Sequence, residues 1–274
     1  MEKLTGTLAL AIAERDGKSV PANTYFQGAL KVMRPQYLDD SGQVVYFILN
    51  PGGGYVGGDV YKIDVTLADN AELLLTTQSA TKVYETPNNE VRQETEITLG
   101  KNSLLEFISD PVIAYEKARY VQQQVVHMDK TASLFYSEMI TPGWAREQDG
   151  FRYEQLLLKN QVYMDGKLVV IDAFRLTPAD GVLHDIGMLE SFSHVGSLLV
   201  VTPSIDETFV HDFQEVLKQE FADLRFGISL LNVHGFSARI LANSTQELER
   251  FIDFCHRYVR QHCFEKSPLL LRKY

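Results

Sequence analysis

From residue 4 to about residue 203 the chain is written in strand-length pieces cut by turn residues. In DVYKIDVTLADN, Ile63, Val65 and Leu67 alternate with Lys62, Asp64 and Thr66, the period-two pattern of a half-buried strand. VRQETEITLG alternates more weakly and reads as a mostly solvated strand. Apolar runs of strand length recur at 44–49, 72–77, 103–108, 120–128, 168–174 and 198–203. Between them stand Asp16-Gly17, Asp39-Asp40-Ser41-Gly42, Pro87-Asn88-Asn89, Leu99-Gly100-Lys101-Asn102, Asp149-Gly150 and Asp165-Gly166, residues that favour turns. Strands at this spacing predict a mainly β body, stacked and β-helix-like, sandwich-like or barrel-like. No linker, low-complexity tract or repeat of fixed period divides it.

The last quarter changes period. Ser204-x-x-Glu207 reads as a capping box, after which Phe209, Phe213, Val216, Leu217, Phe221 and Leu224 recur at helical spacing. FGISLLNV and FSARILAN read as two strands around His234-Gly235. Ser244-x-x-Glu247 is a second capping box, followed by Leu248, Phe251, Ile252, Cys255, Tyr258, Val259 and His262 on one helix face. The expected organisation is one domain over 1–274, β-rich over 4–203 and α+β over 204–274, with two C-terminal amphipathic helices.

Composition removes several functions. The 274 residues carry a formal charge of −10, which argues against a nucleic-acid binder that tracks phosphates with Lys and Arg. No apolar run approaches the ~20 residues of a membrane-spanning helix, and the start is a poor signal peptide. Two cysteines, Cys255 and Cys263, cannot staple a chain of this size. The expected location is the cytosol.

The most conspicuous local feature is Pro51-Gly52-Gly53-Gly54-Tyr55-Val56-Gly57-Gly58-Asp59. Gly52, Gly54 and Gly57 match the dinucleotide fingerprint in form, and the alternative function is an enzyme holding a phosphate-bearing cofactor on this loop. That fingerprint needs a helix N-terminus after it. An alternating strand comes next instead, so a tight β–β connection that aims Asp59 is the favoured reading. In Thr76-Thr77-Gln78-Ser79-Ala80-Thr81-Lys82-Val83-Tyr84, hydrogen-bonded strand side chains are favoured over catalysis, since no Gly-x-Ser-x-Gly elbow exists. The chain has no His-Glu-x-x-His, Cys-x-x-Cys, EF-hand loop or P-loop. Cys255, His256, His262 and Cys263 share helix faces in pairs, but Cys255 and His262 fall on the apolar stripe, where packing is the expected role.

In order along the chain, Asn50-Pro51-Gly52-Gly53-Gly54, Gly57-Gly58-Asp59, Thr76-Thr77-Gln78 through Lys82-Val83-Tyr84, Leu105-Glu106-Phe107 before Asp110-Pro111, Pro142-Gly143-Trp144 and the tail from Ser267-Pro268 to Arg272-Lys273 resemble the UreD (UreH) urease accessory protein family. One departure is Phe151 after Gly150, where family members often carry Glu; Glu147 and Glu154 are the nearby substitutes.

The resemblance implies a non-enzymatic chaperone with no tightly bound cofactor. It implies binding to UreF, which recruits the GTPase UreG, docking on apo-urease, and homodimerisation within the complex. It also implies nickel in transit through a hydrated internal path lined by Asp59, Glu138 and Asp172. Gly57, Gly58, Thr76, Thr77, Gln78, Lys82, Tyr84 and Trp144 would be structural or partner-binding. Asp172 interrupts the apolar strand LVVIDAF, and alternation alone leaves open whether it faces the core or faces outward with Val170 and Phe174. Single carboxylates suit a divalent ion that must be released. Exposed β edges predict self-association of the lone chain and rescue by a partner.

Overall fold

A computed structural model describes residues 3–147, 150–269 and 271. Asp149 of one expected turn, and Arg272 and Lys273 of the tail, lie outside the described residues.

The chain opens with β1 (Gly6–Arg15) and folds back through β2 (Lys18–Gly28). It then runs through β3 (Lys31–Val32) and β4 (Val44–Leu49). From there it winds: β5 (Val60–Leu67), β6 (Glu72–Thr77), β7 (Thr81–Val83), β8 (Val91–Leu99), β9 (Leu104–Ile108), β10 (Val112–Ala114), β11 (Arg119–Met128), β12 (Ser133–Ile140) and β13 (Gln155–Met164). β14 (Lys167–Leu176), β15 (His194–Val201), α1 (Glu207–Glu220), β16 (Arg225–Leu230), β17 (Gly235–Ala242) and α2 (Thr245–Cys263) complete it.

Successive long strands alternate between two sheets. The first sheet has the order β14-β13-β11-β8-β5-β1-β2 and the second β16-β17-β15-β12-β9-β6-β4-β3. Within the winding part the neighbours are parallel. That combination defines a β-solenoid, in which each coil gives one strand to each sheet. Short β7 and β10 pair with each other at a third corner.

The repeat is in space rather than in residue type. Val44, Leu73, Leu105 and Leu134 form one inward column of the second sheet. The column Ile63, Thr95, Gln124, Asn160 of the first sheet mixes apolar and polar side chains, which hides the coil period from the sequence.

Alternation sends the two faces of the second sheet to different cores. Val44, Tyr46, Leu73, Leu105, Leu134 and Tyr136 pack against the first sheet. Phe135, Met139, Leu198, Val200 and Ile240 face outward and are covered by α1 and α2. The tail covers a further patch, with Leu269 buried on Val45, Phe47 and Leu74. A buried Leu or Phe contributes ~1.5–3 kcal/mol through burial. No helix among the described residues is long and apolar enough to cross a membrane.

Two helix expectations need correction. The cap of α1 is Asp206, which accepts the Phe209 N–H at 2.8 Å, while the Ser204 hydroxyl donates to the Cys263 carbonyl. Placing the helix start after Asp206 lets the carboxylate meet the free N–H groups. The Ser244–Glu247 capping box of α2 is present. On α2, His262 is exposed and stacks on Tyr258 at 4.0 Å between ring centroids, while His256 and Arg260 are buried. The cause is Glu106, whose outward carboxylate beneath the helix draws both side chains onto it.

Candidate functional site: a polar belt between the sheets

The glycine loop forms a corner of the solenoid. Tyr55 bridges to Val83, donating its N–H to the Lys82 carbonyl at 2.8 Å. A side chain at Gly54 would strike the Tyr84 ring, so the loop and the Lys82–Tyr84 segment fit only without one. Gly57 lies against Thr86 and Asn89, and Gly58, at φ +85°, donates to the Asn89 carbonyl. The loop leads into β5, so no helix N-terminus is in place to receive a phosphate.

The loop fixes Asp59. Its carboxylate accepts from the Thr5 hydroxyl at 3.0 Å, the Val56 N–H at 2.8 Å and the Tyr61 hydroxyl at 2.9 Å. Tyr61 stacks on Tyr55 with centroids 3.9 Å apart, and the Tyr55 hydroxyl donates to Gln93 at 2.9 Å. Gln93 sits beside Gln122 in register on β11. Burial and the nearby Asp59 charge push both tyrosine hydroxyls up from their usual range, so they act as neutral donors.

Glu138 lies at the middle of this belt, on the inward face of β12 and only 4% exposed. Its carboxylate accepts from Tyr136, from the Gln122 amide and from the Asn160 amide at 3.0 Å. Gln122 in turn accepts from Tyr120 at 3.0 Å. Burial raises the Glu138 carboxyl above its ordinary value and the Asp172 charge adds to that; the hydrogen bonds from Tyr136 and Asn160, and more weakly the Arg239 charge, oppose it without reversing it.

Beyond Glu138 the two sheets exchange partners. Asn160, beside Asp172 in the first sheet, reaches across to Glu138. Ser197, beside Glu138 in the second sheet, reaches across to Asp172 at 3.1 Å. Asp172 shares its side of β14 with Val170 and Phe174, and that side faces inward. It is ion-paired with Arg239, whose guanidinium lies 3.8 Å from the Phe174 ring centre. The expectation of three isolated acids therefore divides: Glu138 has neutral partners, Asp59 is tied into its turn, and Asp172 has a cation.

A cavity of about 40 Å³ adjoins Glu138, lined among others by Gln93, Thr77, Thr81, Asp110 and Tyr136. That is room for about two to four waters at roughly 10–15 Å³ each. The Asn160 Oδ1 and Arg239 Nη1 atoms are buried without a protein partner, so the belt has polar capacity to spare. Ser109, Asp110 and Met139 form both the cavity wall and the floor of an outer groove of about 450 Å³ beside α2.

The remaining signature residues have plain roles. Thr76 donates to the Ile108 carbonyl at 2.6 Å, and Thr77 to Asp110 at 2.7 Å, each binding one coil to the next. Gln78 is exposed at a corner, where its N–H meets the Ile48 carbonyl. Tyr84, Tyr115 and Trp144 pack in a row along one corner of three coils, Tyr84 edge-on to Tyr115 and Trp144 tilted against it, and Trp144 is half-exposed. Glu147 and Glu154 are exposed and paired with Arg152 and Arg119, so neither reaches the belt.

Sequence reasoning missed Gln122, Tyr136, Asn160, Asp110 and Arg239. The available signal was polar residues on the inward phase of alternating strands, as Gln122 and Gln124 are between Tyr120 and Val126.

The architecture is that of a β-solenoid with a buried polar belt between its two sheets. The sequence model of the UreD urease accessory protein family matches residues 4–273, and the chain belongs to that family. It is 43% identical over 274 residues, covering 100% of both chains, to the urease accessory protein UreD of Lachnoclostridium phytofermentans. It is similar to those of Paenarthrobacter aurescens (40%, covering 98% of this chain and 95% of the relative) and Staphylococcus epidermidis (37%, 100% and 99%). Family membership supports a role in urease maturation.

Proposed function

We propose that this protein is a non-catalytic cytoplasmic scaffold that docks on apo-urease, binds UreF and through it UreG, and offers its interior belt to nickel in transit. The observation that carries this reading is Glu138: a carboxylate buried among neutral donors, beside a cavity large enough for water. Such a group gains from an arriving cation what the fold does not supply. Nickel accepts oxygen donors of this kind, and few charged ligands keep it exchangeable. Asp59 and Asp172 flank Glu138 along the belt. Arg239 keeps Asp172 neutralised until an ion competes for it.

The test is a reconstituted assay with apo-urease, the accessory proteins and nickel. Glu138→Gln and Asp59→Ala are expected to assemble normally while leaving urease deficient in nickel. Full nickel loading with Glu138→Gln would refute the path.

A further inference from the structure

The solenoid begins with an unfinished end. β2 is the edge strand of the first sheet, and residues 21–28 are exposed throughout. The second sheet begins with two-residue β3 and a segment that pairs with β4 only through Met33 and Gln36. Leu4, Tyr25, Phe26, Met33 and Leu38 at this end are each more than two-fifths exposed. A free edge beside exposed apolar side chains invites pairing with another chain.

Charge selects the occupant. Between Asp16 and Asp39 the chain has no acidic residue, yet it carries Lys18, Lys31 and Arg34 in a protein of net charge −10. Lys31 and Arg34 are exposed and make no ion pair among the described residues. Lys18 lies 3.7 Å from the centre of the Tyr37 ring. Two copies meeting through this end would oppose like charges, and three basic residues are few for tracking phosphates.

We infer that this end is a docking surface for a partner protein that lays an acidic, extended segment along the free edge of β2, its carboxylates meeting Lys31 and Arg34 and its apolar side chains meeting Phe26 and Met33. Main-chain pairing supplies affinity and the charges supply orientation and rate. This rests on the reading that the chain works in the urease maturation complex.

The experiment is capture of apo-urease and of each accessory protein, added singly, by the wild-type chain, by Lys31→Glu/Arg34→Glu and by Glu138→Gln. One of these proteins is expected to lose capture on the order of tenfold with the double charge reversal, to weaken with salt, and to protect amides 21–28 from hydrogen exchange. Glu138→Gln is expected to capture as wild type. A folded charge-reversed chain, checked by its melting curve, that captures every protein as well as wild type overturns the docking surface and leaves the nickel path standing. Capture of none of them by wild type overturns both. Salt-resistant dimers of the lone chain that protect 21–28, or binding at this end to phosphatidylglycerol vesicles or transfer RNA in place of a protein, would also contradict it.

Discussion

Glu106 and Glu138 occupy adjacent strands of one sheet and are almost completely buried, but they point to opposite faces. Glu106, on β9, faces outward beneath α2. There it meets the Arg260 guanidinium at 2.6 and 2.8 Å, the His256 imidazole and the Gln43 amide at 2.8 Å. Burial pushes its carboxyl up, but His256 and then Arg260 outweigh burial and hold it at about 2. Glu138, on β12, faces inward to neutral donors, and burial raises it. The contrast separates two uses of a buried charge. The first is fully compensated and bolts the helical layer to the solenoid. The second has only neutral groups in contact, with the nearest cation, Arg239, already paired to Asp172, so an arriving ion could add the missing contact.

The largest expected effect is therefore at the residue outside the belt. Glu106→Gln leaves Arg260 buried without its carboxylate and is expected to lower the unfolding free energy by about 3–5 kcal/mol. Guanidinium unfolding with an unchanged slope would measure it. A loss under about 1 kcal/mol would mean that Arg260 is satisfied by its other acceptors, Asp39, Gln43 and the Ser267 carbonyl.

Glu138→Gln should move stability by less than about 1 kcal/mol at neutral pH, because the Asn160 amide can turn its unpartnered oxygen to the introduced amide. Its effect should appear in urease activation instead. Collapse of stability to match Glu106→Gln would erase the distinction between the two faces.

The effect on the helical side is modest and confined to stability. Ser244→Ala removes the cap of α2 and is expected to cost about 1 kcal/mol by thermal or chemical unfolding, with urease activation unchanged. A loss of activation out of proportion to stability would assign α2 a part in the transfer itself.

Much of the frame is readable from sequence. Alternation in DVYKIDVTLADN places β5, and the helical spacing after residue 204 places α1 and α2. Solenoid and sandwich cannot be told apart that way, because both bury the same alternating face and differ only in which strands become neighbours. The ends of the belt draw notice in the sequence, since Asp59 closes a glycine motif and Asp172 interrupts an apolar run, but alternation leaves the direction of Asp172 open. Its middle is not, since Gln122 and Asn160 look like ordinary strand polarity until both sheets close over them. The burial of His256 and Arg260, off the apolar stripe of α2, is not legible because their partner, Glu106, is about 150 residues away in sequence.

Glu138 is a buried carboxylate with no cation in contact, and its pH dependence separates it from Glu106. The ordinary glutamate value is 4.5, and the folded protein raises Glu138 above it but lowers Glu106 to about 2. For Glu138 the unfolded chain loses its proton first, so wild type should lose stability relative to Glu138→Gln as pH rises above 4.5. For Glu106 the sign is reversed: the advantage of wild type over Glu106→Gln should be full above 4.5 and fade as pH falls toward 2. Unfolding free energies of the three proteins across this range are predicted to diverge in opposite directions. A wild-type chain that gains stability over Glu138→Gln with rising pH would show that the inner carboxylate is already compensated, and the account would fail.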